Sequence, residues 1–384
     1  MPSPILTRKI NSSRIVWFAS SNRWIYLEEP AWYVLTLIRK SLPAETIAKR
    51  CSFRYPLPFK DSLKFVSDIA SAISKMEKPL KMDADQILSP ETINSLHFIP
   101  YSTRCYKIKN KYISFSFGSR TAEYYIHPPL AHLEINSSEL PESNAHFDIF
   151  EHEGIPMIRR EDFPEVSDSA ENFIKLKKKL FIELVNIMYK KNTGHWMSFL
   201  HASGVSNGKK SILLSSASGS GKSTMAALLQ AKGHSLVSDD FIPLDASTKR
   251  AWPFPAAISV KQGSFHVLTP YYGNLNDKNY NLYPFTHSSV RYLHTPVATP
   301  QQLKPLPVNT IIFIQYNPKV GCSLTPLSIP DALKLFHDQA WVSHNPDYAR
   351  SFINWFMKLK CWKLEYSDNE KGIEVIKEIF LKEG

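Results

Sequence analysis

The stretch Ser216-Ala217-Ser218-Gly219-Ser220-Gly221-Lys222-Ser223-Thr224 constrains this chain more than any other. It matches the phosphate-binding pattern G-x-x-x-x-G-K-[ST] at every required position but the first, where Ser216 stands for glycine. Each residue type has a physical reason. Glycines at 219 and 221 let backbone N–H groups turn inward around a phosphate, where a Cβ would obstruct them. A helix beginning near Lys222 adds its N-terminal dipole and unsatisfied N–H groups. Lys222 sets a point charge on the β/γ-phosphates, and the Ser223 hydroxyl can join a Mg²⁺ shell. Ser216 must avoid the left-handed backbone region or accept strain there. The loop follows a short apolar strand, Ser211-Ile212-Leu213-Leu214, and precedes a helix that runs to Lys232 and stops at Gly233. A second buried strand, Leu236-Val237-Ser238, ends in Asp239-Asp240. Strand, loop, helix and strand make one βαβ unit of an α/β nucleotide domain, with ATP and Mg²⁺ as the expected ligands.

Two adjacent carboxylates at a strand's C-terminal end lie on the side of an α/β sheet where ligands bind. One can hold Mg²⁺ while the other accepts the proton of an attacking hydroxyl. The spacing does not separate these roles; the expected metal set is Ser223 with Asp240, and the residues read here as catalytic are Asp239, Asp240 and Lys222.

The run from His201-Ala202-Ser203-Gly204-Val205 through the loop to Gly233-His234-Ser235-Leu236-Val237-Ser238-Asp239-Asp240 resembles HPr kinase/phosphorylase. The match is strong over about 40 residues and loose over about 290, roughly 95–384. That resemblance implies an α/β P-loop kinase domain of HPr-kinase type with a β-rich lead-in, Asp239 and Asp240 as the base-and-metal pair, and His201 beside the phosphate site. The chain departs from the family in lacking its later arginine-containing loop and a clear metal-binding glutamate after Asp240. In their place stands Trp252-Pro253-Phe254-Pro255-Ala256-Ala257-Ile258-Ser259-Val260-Lys261. Lys261 reads either as a phosphate contact or as a surface lysine, and Arg291 either as the transition-state cation or as a surface arginine. These gaps put HPr itself in doubt as the acceptor, and the reverse phosphorolysis with it.

Ahead of this domain, residues 8–27 alternate apolar and polar groups about Ser20-Ser21-Asn22, as a β-hairpin does. Helices are expected over 30–39, 43–51 with Pro43 at its first position, and 61–76 with Leu63, Val66, Ile69, Ala70 and Ile73 on one face. Glu29-Pro30-Ala31-Trp32-Tyr33-Val34-Leu35 and Leu42-Pro43-Ala44-Glu45-Thr46-Ile47-Ala48 resemble the PqqD family of small winged-helix domains. Such domains add the leader of a ribosomally made peptide as a strand to an open sheet edge. Residues 1–85 carry 14 Lys+Arg against 8 Asp+Glu, which suits an acidic leader. The expected division is therefore a PqqD-like recognition domain over 1–85 and a kinase domain over 86–384.

Between them the polar stretch to Pro90 reads as a linker. Strands are expected at Cys105–Ile108, Tyr112–Phe117 and Glu123–Ile126, with a long helix from Ser169 to about Lys190. Later expectations are a strand at Val308–Tyr316, helices near 329–339, 346–359 and 371–381, and a strand at Trp362–Tyr366.

The formal charge of +11 suits an anionic partner. Lys64 and Lys75 stand beside two aspartates in the third helix, which argues against nucleic acid. Cys51, Cys105, Cys322 and Cys361 lie too far apart for a zinc knuckle or a disulfide framework, so free thiols are expected. No apolar run approaches the roughly 20 residues that span a bilayer, and a cytoplasmic enzyme without membrane contact follows as the expectation. The leading reading is a kinase acting on a Ser/Thr-type hydroxyl of a peptide or small protein, with homo-oligomerisation open. A small-molecule kinase, a non-catalytic ATP sensor and a winged-helix DNA regulator are the alternatives.

Overall fold

Two units divide the chain. The first comprises residues 1–82, 328–338 and 342–358, and the second comprises 83–327, 339–341 and 359–384. A computed structural model describes residues 4–78, 88–136, 144–160, 162–217, 219–273, 275, 290–294, 302–336 and 339–382. Most of the expected linker, 79–87, lies outside them, as do Ser218 and residues 337–338.

In the first unit the expected hairpin is a three-stranded antiparallel sheet: Ile5–Ile10, Ser13–Phe18 and Arg23–Leu27. The extra turn falls at Asn11, which takes a left-handed φ of 53° as asparagine readily does. Asn22 makes the second turn with φ 54° and accepts a 2.7 Å bond from the Trp17 indole N–H. Helices follow at Glu29–Ile38, Ala44–Arg54 and Phe59–Glu77; Pro43 is the cap residue of the second, one position before the helix proper. Val66 and Ile73 are buried on the third helix, as the apolar spacing requires, while Leu63, Ile69 and Ala70 are half-buried. Two helices from late in the chain, Ile329–Phe336 and Pro346–Phe356, belong to this same unit. Phe352 packs against Trp24 with ring centroids 6.1 Å apart, and the Asn22 amide donates to the Val342 carbonyl at 2.5 Å. The first unit is thus built from an early stretch and a late stretch of the sequence.

The second unit is a mixed α/β structure on two large sheets. The lead-in sheet runs in the order Glu134–Ile135, Ser102–Ile108, Lys111–Phe117, Ala145–His152, Ile155–Arg159, Asp168–Ser169. The expected strand over Glu123–Ile126 is instead part of a helix, Arg120–Ile126. Ser119 caps that helix by accepting from the Ala122 N–H at 3.1 Å, and Ala122 and Ile126, four apart, are buried on one face. Helix Phe173–Tyr189 lays Leu176, Leu180 and Leu184 into an aromatic core with Phe115, Phe117 and Phe147. Its N-terminal cap is Asn172, whose side chain accepts from the Lys175 N–H at 3.0 Å.

The second sheet carries the loop. Strand Ser211–Ser215 runs parallel to Leu306–Tyr316, which runs parallel to Lys360–Tyr366. On the other side Ser203–Ser206 pairs antiparallel with both Ser211–Ser215 and Ser235–Ser238. The two strands of the βαβ unit are therefore parallel but separated by one reversed strand. Helix Lys222–Ala231 buries Met225, Ala226, Leu228 and Leu229 against Ile212, Leu214 and Ile312. Among the described residues no helix is long and apolar enough to cross a membrane. The four cysteines are free thiols.

Candidate functional site

The loop sits where the parallel strands end. Gly219 and Gly221 hold φ of 87° and 99°, the left-handed region expected of them, whereas Ser216 does not enter it and carries no such strain. A Cβ at Gly219 would meet nothing within 4 Å and would stand in the open space of the cradle. At Gly221 it would come within 2.9 Å of the Tyr366 hydroxyl, so Tyr366 and Tyr316 form a wall behind the loop. The Tyr316 N–H donates to the Ser220 carbonyl at 3.0 Å and ties the loop to the neighbouring strand. Ala217 and Gly219 are exposed, Ser220 is half-buried, and Thr224 lies half-buried in the first helical turn. The Ser216 hydroxyl is buried and finds no partner among the described residues. Ser218 is not among the residues described.

The aspartates converge on the loop from the end of strand Ser235–Ser238, one strand removed from the strand that feeds it, each on a different loop residue. The Ser223 hydroxyl lies 3.1 and 3.0 Å from the two oxygens of Asp239. Asp239 also accepts from the Ser203 hydroxyl and, at 3.2 Å, from the Ser259 backbone N–H. Asp240 takes a φ of 60°, and this turn sends its carboxylate away from that of Asp239. Its Oδ1 lies 2.6 Å from Nζ of Lys222, a lysine only 8% exposed. The two residues of the expected metal set, Ser223 and Asp240, are not in contact with each other: Ser223 faces Asp239, and Asp240 faces Lys222.

His201 stands beside Asp240. Its Nδ1 lies 3.3 Å from the Asp240 carbonyl oxygen and 3.7 Å from the carboxylate. Burial lowers the imidazole below the usual histidine range, against the pull of Asp240 and with the help of Lys222. A carbonyl oxygen only accepts, so the neutral ring carries its proton on Nδ1.

Electrostatics separate the two carboxyls. Burial pushes Asp239 up to about 7, the charge of Asp240 adds to this, and the Ser203, Lys222 and Ser223 contacts oppose it. For Asp240 burial also raises, but Lys222 first, then His201 and Lys177, outweigh it and hold the carboxyl below its usual range. A carboxyl whose folded value is raised contributes stability below its unfolded value, near 3.8, and that contribution is lost as pH climbs through about 7. The nucleotide-free Asp239→Asn protein should therefore gain thermal stability relative to the wild type as pH rises from about 4 to 7. Paired melting curves across that window check it; a pH-independent difference would overturn the assignment.

Oxygen donors are the right chemistry for a hard divalent cation. Asp239 with the Ser223 hydroxyl offers such a set, in a pocket where burial and a neighbouring carboxylate leave negative charge poorly compensated. The donor chemistry fits Mg²⁺.

Sequence reasoning missed three contributors. Ser203, two residues past His201, is fixed by its place on the reversed strand beside Asp239. Ser259 offers a backbone N–H from the Pro-rich stretch, a contact that leaves no side-chain signal. Tyr366 arrives from the last strand of the sheet, 145 positions after Gly221 in the chain. Arg291 is neither a site cation nor a surface residue: it is 3% exposed, its Nε donates to the Leu275 carbonyl at 3.0 Å, and its guanidinium lies over the Phe265 ring. Lys261 is exposed at the end of strand Ile258–Lys261. The chain matches no known protein-family model and no curated protein sequence.

Proposed function

We propose that this chain is an ATP-dependent kinase that phosphorylates a Ser/Thr-type hydroxyl on a peptide or small protein. One observation carries the reading: the two consecutive carboxylates reach different residues of the same loop, Asp239 to Ser223 and Asp240 to Lys222. A loop that only tied a turn would need neither the buried lysine nor the paired carboxylates.

In this reading the N–H groups of the loop and of the helix at Lys222 bind the phosphates. Ser223 and Asp239 hold Mg²⁺, which when bound neutralises charge on the phosphate oxygens. Lys222 leaves Asp240 for the β/γ-phosphates, and Asp240, with 41% of its side chain exposed, is freed to accept the acceptor's hydroxyl proton. A carboxylate held low is a weak base, but loose phosphoryl transfer depends more on position and charge than on base strength. His201, keeping its proton on Nδ1 toward Asp240, fixes the orientation of that residue.

The first unit is proposed as the acceptor-recognition part. Its sheet ends, among the described residues, in two edge strands, Ile5–Ile10 and Arg23–Leu27. An edge strand offers unpaired backbone groups to an added peptide, and the basic surplus over 1–85 favours an acidic one. Joining such a clamp to the kinase raises the local acceptor concentration.

The test supplies γ-labelled ATP and Mg²⁺ with two acceptor sets: acidic peptides bearing Ser and Thr, and small polyols. Label on peptide hydroxyls is the expected result. Label on polyols alone overturns the peptide acceptor, and tight ATP binding with no transfer to either set overturns the kinase reading.

A further inference from the structure

Phosphoryl transfer spreads negative charge over three equatorial oxygens, and one lysine seldom meets all of it. Lys222 is the loop's own cation. Arg291 is not available as a second one, since its guanidinium is spent on the Leu275 and Val290 carbonyls. A second positive charge does lie near Asp240, and it comes from outside the strand–loop–helix unit.

Lys177 sits on helix Phe173–Tyr189. One turn further on, Phe181 meets the ring of Phe241 edge-on, with centroids 5.8 Å apart, and Phe241 follows Asp240 directly. Residues four apart share a helix face, so Lys177 lies on the face that packs toward the end of the aspartate strand. Lys175 pairs with Glu171 and Lys179 reaches Asp168 at 2.7 Å, whereas Lys178 is exposed and acts on His201 from a distance. Lys177 is half-buried and forms no ion pair or hydrogen bond among the described residues. It nonetheless acts on the carboxylate of Asp240, together with Lys222 and His201. Lys222 and His201 reach Asp240 directly, while Lys177, which acts on the same carboxylate, is left without a direct partner among the described residues. Leaving an ammonium half-buried and unpaired is costly unless an anion meets it.

We infer that Lys177 is a catalytic residue that donates to an equatorial oxygen of the phosphoryl group during its transfer. The inference rests on the kinase reading. In the step, the bond from the γ-phosphorus to its bridging oxygen breaks and the electron pair leaves with ADP. The acceptor oxygen forms the new bond to phosphorus, its proton passes to Asp240, and Lys177 keeps its own protons throughout.

The experiment compares wild type, Lys177→Met, Lys177→Arg and Lys222→Ala for kcat with ATP and Mg²⁺, and for ADP affinity by calorimetry. Met keeps the stem and removes the charge; Arg keeps the charge. The expected result is a loss of about 10²–10³ in kcat for Lys177→Met, as for deleting one preorganised donor. ADP affinity should stay within about twofold, because the missing contact is to the transferring group. Lys177→Arg should recover at least a tenth of wild-type kcat. Wild-type kcat in Lys177→Met beside an inactive Lys222→Ala overturns the inference and leaves the kinase reading intact. Equal losses of kcat and of ADP affinity in Met and Arg variants assign Lys177 a packing role and overturn it too. A wild-type protein that binds ATP without turning it over defeats the kinase reading itself, and the inference with it.

Discussion

Replacing Lys222 by alanine should lower ATP turnover by about 10²–10³ and leave the fold in place. The two halves of that expectation have separate causes. The ammonium is 2.6 Å from Asp240 in the nucleotide-free protein, so it is held at the loop by a carboxylate and needs little movement to meet a phosphate. Losing it removes a contact to the transferring group and also leaves Asp240 with fewer positive neighbours, which raises the cost of its charge. The fold survives because helix Lys222–Ala231 is anchored further along, by Met225, Ala226, Leu228 and Leu229. Alanine is the best helix former, so the first turn gains what the lysine gave in local propensity. Circular dichroism and a melting curve on the same preparation as the activity assay separate loss of chemistry from loss of structure. Turnover near that of the wild type, in a folded variant, would sink the phosphate-loop assignment.

The parts of this site legible in the sequence are those whose cause is local. Gly219 and Gly221 are needed where the backbone turns left-handed, and they hold φ of 87° and 99°. The apolar runs at Ser211–Ser215 and, within Leu306–Tyr316, at Thr310–Ile314 become strands because they are buried on both faces. What escaped reading was set by partners far along the chain. The burial of Lys222 is one such case, because the Asp240 carboxylate from the next segment draws it in. The strand reading of Glu123–Ile126 failed because a serine cap at Ser119 outweighed the β propensity of two tyrosines and an isoleucine. The hairpin expected over 8–27 has a further turn at Asn11, since asparagine accepts the left-handed backbone that creates a third strand. Phe336, Phe352 and Phe356 gave clear helical patterns late in the chain, but nothing in periodicity tells which unit an apolar face will join. Lys177 is one of several lysines on its helix, and it is the packing of Phe181 on Phe241 that sets its face apart.

Asp239→Asn and Asp240→Asn should both abolish most phosphoryl transfer, and for different reasons. Asp239 touches the Ser223 hydroxyl with both oxygens and lies buried behind the loop. An amide keeps the shape but is a poorer ligand for a hard cation. Asp239→Asn should therefore lose the Mg²⁺ dependence of nucleotide binding, so that calorimetric titrations with and without Mg²⁺ give the same weak affinity. Asp240 contacts no residue of the proposed metal set; it is the partner of Lys222 and the more exposed of the two carboxyls. Its amide cannot take the hydroxyl proton, and kcat should fall by about 10²–10⁴. Nucleotide affinity should move the other way. Asp240 competes with the phosphates for the Lys222 ammonium, so neutralising it frees that charge, and Asp240→Asn should bind ATP at least as tightly as the wild type while hardly turning it over. The Mg²⁺ dependence of that binding should remain, because Ser223 and Asp239 are untouched. If Asp240→Asn were instead the variant that lost the metal dependence, the two roles would be exchanged, and the Ser223–Asp239 contact would be a structural tie that opens when nucleotide binds. If both variants kept full activity, the pair would be no more than a turn at the end of a strand.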